Sequence, residues 1–427
     1  MKEVNELRSE ASKDALTMYK RTGIVLLQWA TAMGKTKAAI DIIKYASKEF
    51  IKTTKYKLSN YNILVVVAET SHKENWRKEF NKWKLKFNEN EITDDNAINI
   101  TFQCYQTFRK CNNNVFYNMT IFDEAHHLAS EKSLEALSNH VEMTGGMIFL
   151  SATMKQTIID NIKDATKAYG KLIEMSVVKL KTAIEADVIP EPVIIPVPLT
   201  LCLDRNQEII LNKSAKGNPI EVLYPNRWKY IKNKAAYKNT KIVIKCNELE
   251  KYQYIEQSLS YWKNSLYRTH SDFARNRVLQ LGSERKRFLG SIKTDAAKHI
   301  IDTELKDYRY ICFCSSIAQS EELNKQNSIN SKVVDNASLI DKFNKHETDS
   351  LYCVGMLQEG QNLCDIEAGL IIQLDKEERS FVQKMGRVLR AAKPKVYIMY
   401  VKNTNDELNF NKCMEELKCT IELKFGK

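Results

Sequence analysis

Eight consecutive residues near the start of the chain have the types needed to hold a nucleotide phosphate. They are Trp29-Ala30-Thr31-Ala32-Met33-Gly34-Lys35-Thr36, between the apolar run Ile24-Val25-Leu26-Leu27 and a segment with helical periodicity, 37–43. A helix start offers unpaired backbone N–H groups and the positive end of the helix dipole, so a loop over it can cradle phosphate oxygens. We expect Thr31, Ala32, Met33, Gly34, Lys35 and Thr36 to bind a nucleoside triphosphate, with Lys35 at the β- and γ-phosphates and the Thr36 hydroxyl on Mg²⁺.

The loop departs from the common G-x-x-x-x-G-K-[ST] pattern, because Trp29 stands at the first glycine position. Short motifs of this kind also occur by chance in surface loops. The nucleotide interpretation therefore needs a second chemical group downstream.

That second group is the carboxylate pair Asp123 and Glu124, which follows the apolar run Met119-Thr120-Ile121-Phe122. At the carboxyl end of a strand beside a phosphate loop, one carboxylate can hold Mg²⁺ while its neighbour activates the attacking water. We expect Asp123 to hold the metal and Glu124 to act on the water. A transition-metal site at His126 and His127 is disfavoured, because adjacent side chains diverge and no further ligand has suitable spacing.

Several short β-branched runs alternate with helical stretches around these residues. Residues 1–22 have amphipathic helical spacing, and the runs Ile63–Ala68, Ile98–Phe102, Met119–Phe122 and Gly146–Leu150 have the composition of strands. This alternation predicts a parallel sheet with crossover helices. The order places the phosphate loop and the acidic pair at the carboxyl ends of strands.

Composition limits the class of protein. The chain has 427 residues, of which 43% are hydrophobic, and a formal net charge of +12. This length suits two cores. The positive charge suggests an acidic partner such as nucleic acid, and a merely basic soluble surface fits the charge equally well. The ten cysteines include no Cys-x-x-Cys pair, and no apolar run approaches the ~20 residues of a membrane span. We expect a cytoplasmic protein without a membrane segment.

The order of the motifs resembles the superfamily 2 helicases of the DEAD/DEAH-box type. Ser151-Ala152-Thr153 follows the acidic pair. The run 65–69 with the following segment 70–76 is similar to that family's motif Ia, and 104–108 is similar to its motif Ib. The resemblance implies that His126, Ser151 and Thr153 couple ATP hydrolysis to movement of nucleic acid, and that Thr70 and Gln106 contact the nucleic acid.

The second half of the chain contains the motifs of a second motor domain. Ser315 ends a strand that resembles motif IV, Gln358 and Gly360 lie in a segment resembling motif V, and 383–390 has the pattern Q-x-x-G-R-x-x-R of motif VI. We expect Arg387 and Arg390 to reach the phosphates as arginine fingers, together with Gln383. The resemblance implies that Ser315 and Gln358 contact nucleic acid and that Gly360 lies at the nucleotide. The expected adenine-selecting glutamine before the phosphate loop is absent.

The segment between the two halves has a different composition. Residues 204–290 contain 18 Lys and Arg against 8 Asp and Glu, interleaved with tyrosines and tryptophans. Cations for phosphates and aromatic rings for unstacked bases are typical of a single-strand binding surface. The alternative is a helical insert whose tyrosines form its own core. The basic run Arg285, Lys286 and Arg287 is similar to a segment of phage-encoded helicases, which implies contact with nucleic acid.

These observations predict an α/β protein with two RecA-like parallel-sheet P-loop domains in tandem and a basic, mostly helical insert. The expected boundaries are 1–190, 191–294 for a linker and insert, and 295–427. The expected activity is an ATP- and Mg²⁺-dependent helicase or translocase, acting on DNA rather than RNA, in phage replication, recombination or repair within the host bacterial cytoplasm. A duplex translocase, an RNA helicase and an ATP-switched binding module remain alternatives.

Overall fold

The computed structural model describes most of the chain. The described residues are 2–53, 60–89, 98–110, 115–233, 236–333, 335–355, 363–374, 381, 384–386, 388, 391, 393–415, 417 and 419–425. Within them the strands form two seven-stranded sheets and one three-stranded sheet.

The first sheet is built from residues before position 180, and its helices are the crossovers that parallel strands require. Its elements are α1 (Lys2–Thr22), β1 (Ile24–Trp29), α2 (Lys35–Thr53), β2 (Tyr61–Val67), α3 (Thr70–Lys82), β3 (Asn88–Glu89), β4 (Ile98–Cys104), α4 (Tyr105–Phe108), β5 (Tyr117–Phe122), α5 (Glu131–His140), β6 (Thr144–Ser151), α6 (Gln156–Lys167) and β7 (Glu174–Val178), followed by α7 (Leu180–Glu185).

Strand order in this sheet places the predicted site residues side by side. The order is β3-β4-β2-β5-β6-β1-β7, and every pairing is parallel. Both faces are buried: Ile24 and Leu26 of β1 pack on one face, whereas Val25 and Leu27 pack on the other. The continuous apolar runs follow from this two-sided burial. The ends of β1, β6 and β5 are neighbours, so the segments that follow them share one edge.

The second sheet is also entirely parallel, with the order β13-β14-β12-β15-β16-β8-β17. Its helices and strands are β8 (Val193–Leu199), α11 (Thr294–Thr303), β12 (Tyr310–Phe313), α12 (Ile317–Asn324), β13 (Ser328–Ile329), α13 (Asn336–Asn344), β14 (Ser350–Cys353), β15 (Ala368–Ile371), β16 (Lys395–Val401), α14 (Asn405–Glu415) and β17 (Thr420–Ile421).

Strand β8 comes from the proline-rich segment that the sequence assigned to the linker. It pairs with β16 over its whole length, but β17 covers only Val193 and Ile194 on its other side. Pro196 and Pro198 follow the covered part, where a missing N–H breaks no ladder hydrogen bond. The segment is extended, as its prolines predict, and it belongs to the second sheet.

The insert leaves the second sheet after β8 and returns before α11. Its elements are β9 (Gln207–Leu211), β10 (Ile220–Leu223), α8 (Trp228–Lys232), β11 (Ile242–Cys246), α9 (Glu248–Thr269) and α10 (Asp272–Ser291). The three strands form a small mixed sheet, β10-β11-β9, which the sequence analysis did not predict.

Local capping defines the two long helices of the insert. Asn247 and Glu250 form a capping box at the start of α9, and Ser271 caps the start of α10. His270, with φ of 47°, ends α9 in the left-handed conformation and reverses the chain. The helix pair packs on the second domain, where Tyr252 Oη accepts a 2.9 Å hydrogen bond from Asn405 N. The insert is therefore anchored to the second sheet.

The fold class predicted from the sequence is confirmed: two RecA-like α/β domains lie in tandem with an insert between strands of the second. No helix in the described part of the chain has the length and apolar character needed to cross a membrane.

Candidate functional site

The phosphate loop connects the end of β1 to the first turn of α2. Ala32 and Gly34 adopt positive φ angles of 71° and 91°, which glycine accepts freely and alanine only with strain. Met33 N donates to Ala30 O at 3.2 Å, and Ala38 N donates to Gly34 O at 3.0 Å. Lys35 Nζ donates to Trp29 O at 2.9 Å. The lysine thus arches back over the loop, and the loop surrounds a helix start suited to an anion.

Trp29 does not occupy the space that a phosphate would need. Its side chain is fully buried in the core, and its Nε1 donates to Ser176 Oγ of β7 at 2.9 Å. The indole is therefore a core side chain at the end of β1, although it stands at the first glycine position of the pattern.

A residue that the sequence analysis missed also holds the loop. Arg8 of α1 donates through Nη2 to Ala32 O at 3.1 Å and to Val188 O at 3.4 Å. It ties the strained part of the loop to the helix before it and to the segment after α7. No motif marks Arg8, because its partners are backbone carbonyls far away in sequence.

The acidic pair lies at the end of β5, two strands from β1. Asp123 Oδ2 accepts a 2.9 Å hydrogen bond from Trp76 Nε1, and His72 Nδ1 lies 3.8 Å from the same oxygen. Asp123 Oδ1 accepts from Glu124 N at 3.1 Å. The Asp123 carboxylate and the Thr36 hydroxyl are oxygen ligands of the kind Mg²⁺ prefers, so these residues fit that metal.

Glu124 and the Ser-Ala-Thr segment both lie beside one buried histidine. His126 is 3% exposed, and its Nδ1 lies 3.3 Å from Glu124 Oε2 and 3.3 Å from Ser151 Oγ. Ser151 Oγ in turn donates to Thr153 O at 2.7 Å. Glu124 itself is left-handed, with φ of 48° and ψ of 53°. The structure therefore brings together the predicted coupling residues and the predicted water-activating carboxylate.

The second domain contacts the phosphate loop through Gly386. A Cβ added to Gly386 would lie 2.4 Å from Thr31 Cβ and 2.8 Å from Thr31 Oγ1. A residue in the middle of the predicted motif VI thus abuts the predicted phosphate-binding residue. The predicted residues Gln358, Gly360, Gln383, Arg387 and Arg390 lie outside the described residues.

The predicted nucleic-acid contacts of the two domains lie at carboxyl ends of strands. Thr70 begins α3 after β2, Gln106 lies in α4 after β4, and both are exposed. Strands β2 and β4 are adjacent, so these residues share one surface. Ser315 follows β12 in the second sheet, and its Oγ donates to Gln319 Oε1 at 2.8 Å.

The structure separates the aromatic side chains of the insert into two groups. Tyr224 and Tyr252 are buried, and Tyr230, Tyr237 and Tyr254 pack partly buried around the small sheet. A second group projects from the α9–α10 pair, with Tyr261 and Phe273 each 66% exposed and Tyr267 82% exposed. Trp262 lies between Tyr261 and Phe273, at centroid distances of 5.3 and 5.4 Å. We call Tyr261, Trp262, Tyr267 and Phe273 the aromatic tip.

The three predicted cations of α10 differ in their availability. Arg285 donates to Glu256 Oε1 at 2.6 Å, and its side chain is 20% exposed, so it joins the two helices. Lys286 and Arg287 are exposed. Arg285 is therefore less exposed than either of its neighbours.

A buried charged network lies under the predicted motif VI, and the sequence analysis missed it. Lys293 Nζ forms an ion pair with Asp406 and donates to Ile372 O at 2.7 Å. Burial lowers the Lys293 pKa, whereas Asp406 opposes this shift. Gln373 Nε2 donates to Asp406 Oδ1 at 2.8 Å, and Lys384 Nζ donates to Gln373 O at 2.9 Å. This network connects the end of the insert to the segment that carries Arg387.

Comparisons with known proteins agree with this architecture. Residues 1–156 match the family model described as type III restriction enzyme, res subunit, and residues 292–392 match the helicase conserved C-terminal domain. The comparison with curated proteins gave no significant match.

Among solved structures, the helicase domain of Hef from Pyrococcus furiosus is similar in fold. It aligns with a TM-score of 0.50 over 94% of this chain and 97% of its own, at 15% identity. The two family models, in this order along the chain, and the shared fold support a superfamily 2 helicase.

Proposed function

We propose that this chain is an ATP-dependent helicase or translocase that acts on DNA. The observation that carries the proposal is the contact between Gly386 of the second domain and Thr31 of the phosphate loop. A motor of this class needs a nucleotide between two domains, so that hydrolysis changes their relative position. The contact supports a nucleotide position at such a boundary.

The proposed roles follow from where each side chain lies. Lys35 and the N–H groups at the start of α2 bind the phosphates, and Thr36 and Asp123 hold Mg²⁺. The chemistry that Mg²⁺ supplies when bound is neutralisation of charge on the phosphate oxygens. Glu124 orients and activates the attacking water. Gln383, Arg387 and Arg390 complete the site from the second domain.

His126 is proposed to couple the site to nucleic acid. Its Nδ1 is equidistant from Glu124 Oε2 and Ser151 Oγ, at 3.3 Å from each. Movement of Ser151 and Thr153 would thus reach the water-activating carboxylate through one side chain. Hydrolysis should therefore respond to nucleic acid bound across both domains, at Thr70, Gln106, Ser315 and Gln358.

The insert is proposed to add a contact through its exposed surface. The segment 260–280, which carries the aromatic tip, contains four Lys and Arg residues and one Asp. Exposed rings stack on bases in a sequence-tolerant way, and cations attract the phosphates. Lys286 and Arg287 extend the same basic character along α10, whereas Arg285 serves mainly to join the helices.

A translocase that moves along duplex without separating it is the second candidate. The match of residues 1–156 to the type III restriction enzyme family favours it. The ATP-switched binding module loses its main support, because Trp29 is a core residue and leaves the loop clear. The preference for DNA and a role in phage replication, recombination or repair rest on the resemblance of the α10 sequence to phage-encoded helicases.

Steady-state ATP hydrolysis tests the proposal directly. Purified protein is assayed without nucleic acid and with single-stranded DNA, duplex DNA, forked DNA and RNA, with Lys35→Ala as the blank. Stimulation by DNA is expected, and release of a labelled strand from the fork distinguishes unwinding from duplex translocation. Stimulation by RNA alone would contradict the DNA assignment. Absence of Lys35-dependent hydrolysis with every substrate would refute the motor function.

A further inference from the structure

A buried tryptophan touches the carboxylate that is proposed to hold Mg²⁺. Trp76 is 2% exposed, and its Nε1 donates to Asp123 Oδ2 at 2.9 Å. His72, also 2% exposed, places Nδ1 3.8 Å from the same oxygen. The two residues are four apart on α3, so they project from one face of that helix. Both residues lie in the segment 70–76 that resembles motif Ia, but only Thr70 of that segment was assigned a role from the sequence.

The surrounding contacts fix the whole aspartate, and not only one oxygen. Asp123 Oδ1 accepts from Glu124 N at 3.1 Å, and Asp123 O accepts from Tyr105 Oη at 2.9 Å. Trp76 cannot easily move, because its ring lies 5.3 Å from Phe80 inside the core. A donor on a rigid, buried ring gives the Asp123 carboxylate one orientation.

We propose that Trp76 is a positioning residue for the metal-binding carboxylate. The proposal rests on the proposed function of Asp123 as a Mg²⁺ ligand. Groups that hydrogen-bond a ligating carboxylate set its orientation, and losing one typically costs ~10–100-fold in metal affinity or activity.

Helix α3 also links the contact between Trp76 and Asp123 to Thr70. The helix begins at Thr70, the exposed residue proposed to contact nucleic acid, and Trp76 lies less than two turns later. A helix is a rigid element, so displacement at its first turn also moves the indole that holds Asp123. Nucleic acid bound at Thr70 can thus influence the metal site along a second route, separate from His126.

The test replaces the indole N–H and keeps a buried ring. Trp76→Phe removes the donor. Trp83→Phe is the matched control, because Trp83 directly follows the same helix and its Nε1 donates to Glu79 Oε2 of that helix at 2.8 Å. Binding of Mn²⁺ to the protein with ADP is measured from the loss of the free Mn²⁺ signal in electron paramagnetic resonance. Trp76→Phe should weaken Mn²⁺ binding by ~10–100-fold, while ADP binding in EDTA stays at the wild-type value. Trp83→Phe should change neither.

The Mg²⁺ dependence of ATP hydrolysis and a second variant at the same position extend the test. In ATPase assays, Trp76→Phe should raise the Mg²⁺ concentration for half-maximal rate more than it changes the KM for ATP. Trp76→Leu also lacks the donor and serves if Trp76→Phe fails to fold, with the same expected loss of Mn²⁺ affinity. Wild-type Mn²⁺ affinity in the folded Trp76→Phe protein, or equal losses in both tryptophan variants, would overturn the positioning role. Mn²⁺ binding requires no turnover, so a failure of the motor function would show separately as absent Lys35-dependent hydrolysis.

Discussion

Substitution of Gly386 by alanine should uncouple the two domains without unfolding either. The added Cβ would lie 2.4 Å from Thr31 Cβ, whereas ordinary contacts of this kind measure 3.4–4 Å. Thr31 Cβ is next to the backbone and cannot rotate away, so the two segments must separate by about 1 Å. Misplacement of catalytic groups by 1 Å can cost ~10²-fold in rate. We expect DNA-stimulated kcat to fall by about that factor.

The assay compares DNA-stimulated ATP hydrolysis with ATP binding and thermal stability. Gly386→Ala should keep wild-type nucleotide affinity in the absence of DNA. It should also unfold at nearly the same temperature, because the strained contact joins a loop of one domain to a helical residue of the other and lies outside both sheets. Gly217→Ala is the control, since its nearest neighbour, Asn239 O, would lie at an ordinary 3.4 Å.

A double variant tests whether the contact between the new methyl group and Thr31 causes the loss of rate. Thr31→Gly removes the side chain that the new methyl group meets, so the double variant should recover part of the rate lost by Gly386→Ala alone. Wild-type stimulated turnover in Gly386→Ala would refute the reasoning, because it would mean that the two segments do not meet during hydrolysis.

Three further predictions follow from single side chains. Glu124→Gln should lower single-turnover hydrolysis by ~10²–10⁴-fold with unchanged ATP affinity, and a smaller loss would exclude Glu124 as the base. Burial lowers the His140 pKa from 6.5 to about 4. Between these two pH values the unfolded chain binds one more proton at this histidine than the folded chain does. Urea titrations should therefore show up to about 3 kcal/mol less unfolding free energy at pH 4 than above pH 6.5. His140→Gln should flatten that slope, whereas substitution of the exposed His299 should not. Tyr267→Ala and Phe273→Ala should each weaken single-stranded DNA binding by about 1–3 kcal/mol in anisotropy titrations, and an effect no larger than that of Tyr169→Ala would remove the aromatic tip from the binding surface.

The sequence predicted those strands that are buried on both faces, because their apolar residues are continuous along the chain. The runs at β1, β2, β5 and β6 are continuous and apolar because helices cover both faces of the sheet. The small sheet of the insert was not predicted, because β9, β10 and β11 are only four or five residues long and the segments around them are polar and rich in lysine. Their pairing depends on long-range contacts such as Ile242 with Leu211, which no local pattern encodes.

Local patterns and long-range contacts also differ in how well they predict the candidate site. Lys35, Thr36, Asp123 and Glu124 could be proposed from the sequence because phosphate and metal chemistry requires particular residue types immediately after a strand. The contacts of Arg8 and Trp76 were not predicted, because these side chains reach the loop and the carboxylate from other elements. Arginine bonding to a carbonyl and an indole bonding to a carboxylate use ordinary core and surface residues, so their roles appear only when the fold brings the partners together.

Helical periodicity distinguishes the buried tyrosines of the insert from the exposed ones, whereas composition alone does not. Along α9, Tyr252, Ile255 and Leu259 recur at helical spacing and are the buried side chains of that helix. Tyr261 and Tyr267 fall outside this stripe, and both are exposed. Helical periodicity therefore separates the tyrosines that build the core of the insert from those that face solvent. Some tyrosines of the insert thus form its own core, as one interpretation predicts, whereas the rings at Tyr261, Tyr267 and Phe273, like Trp228, are exposed.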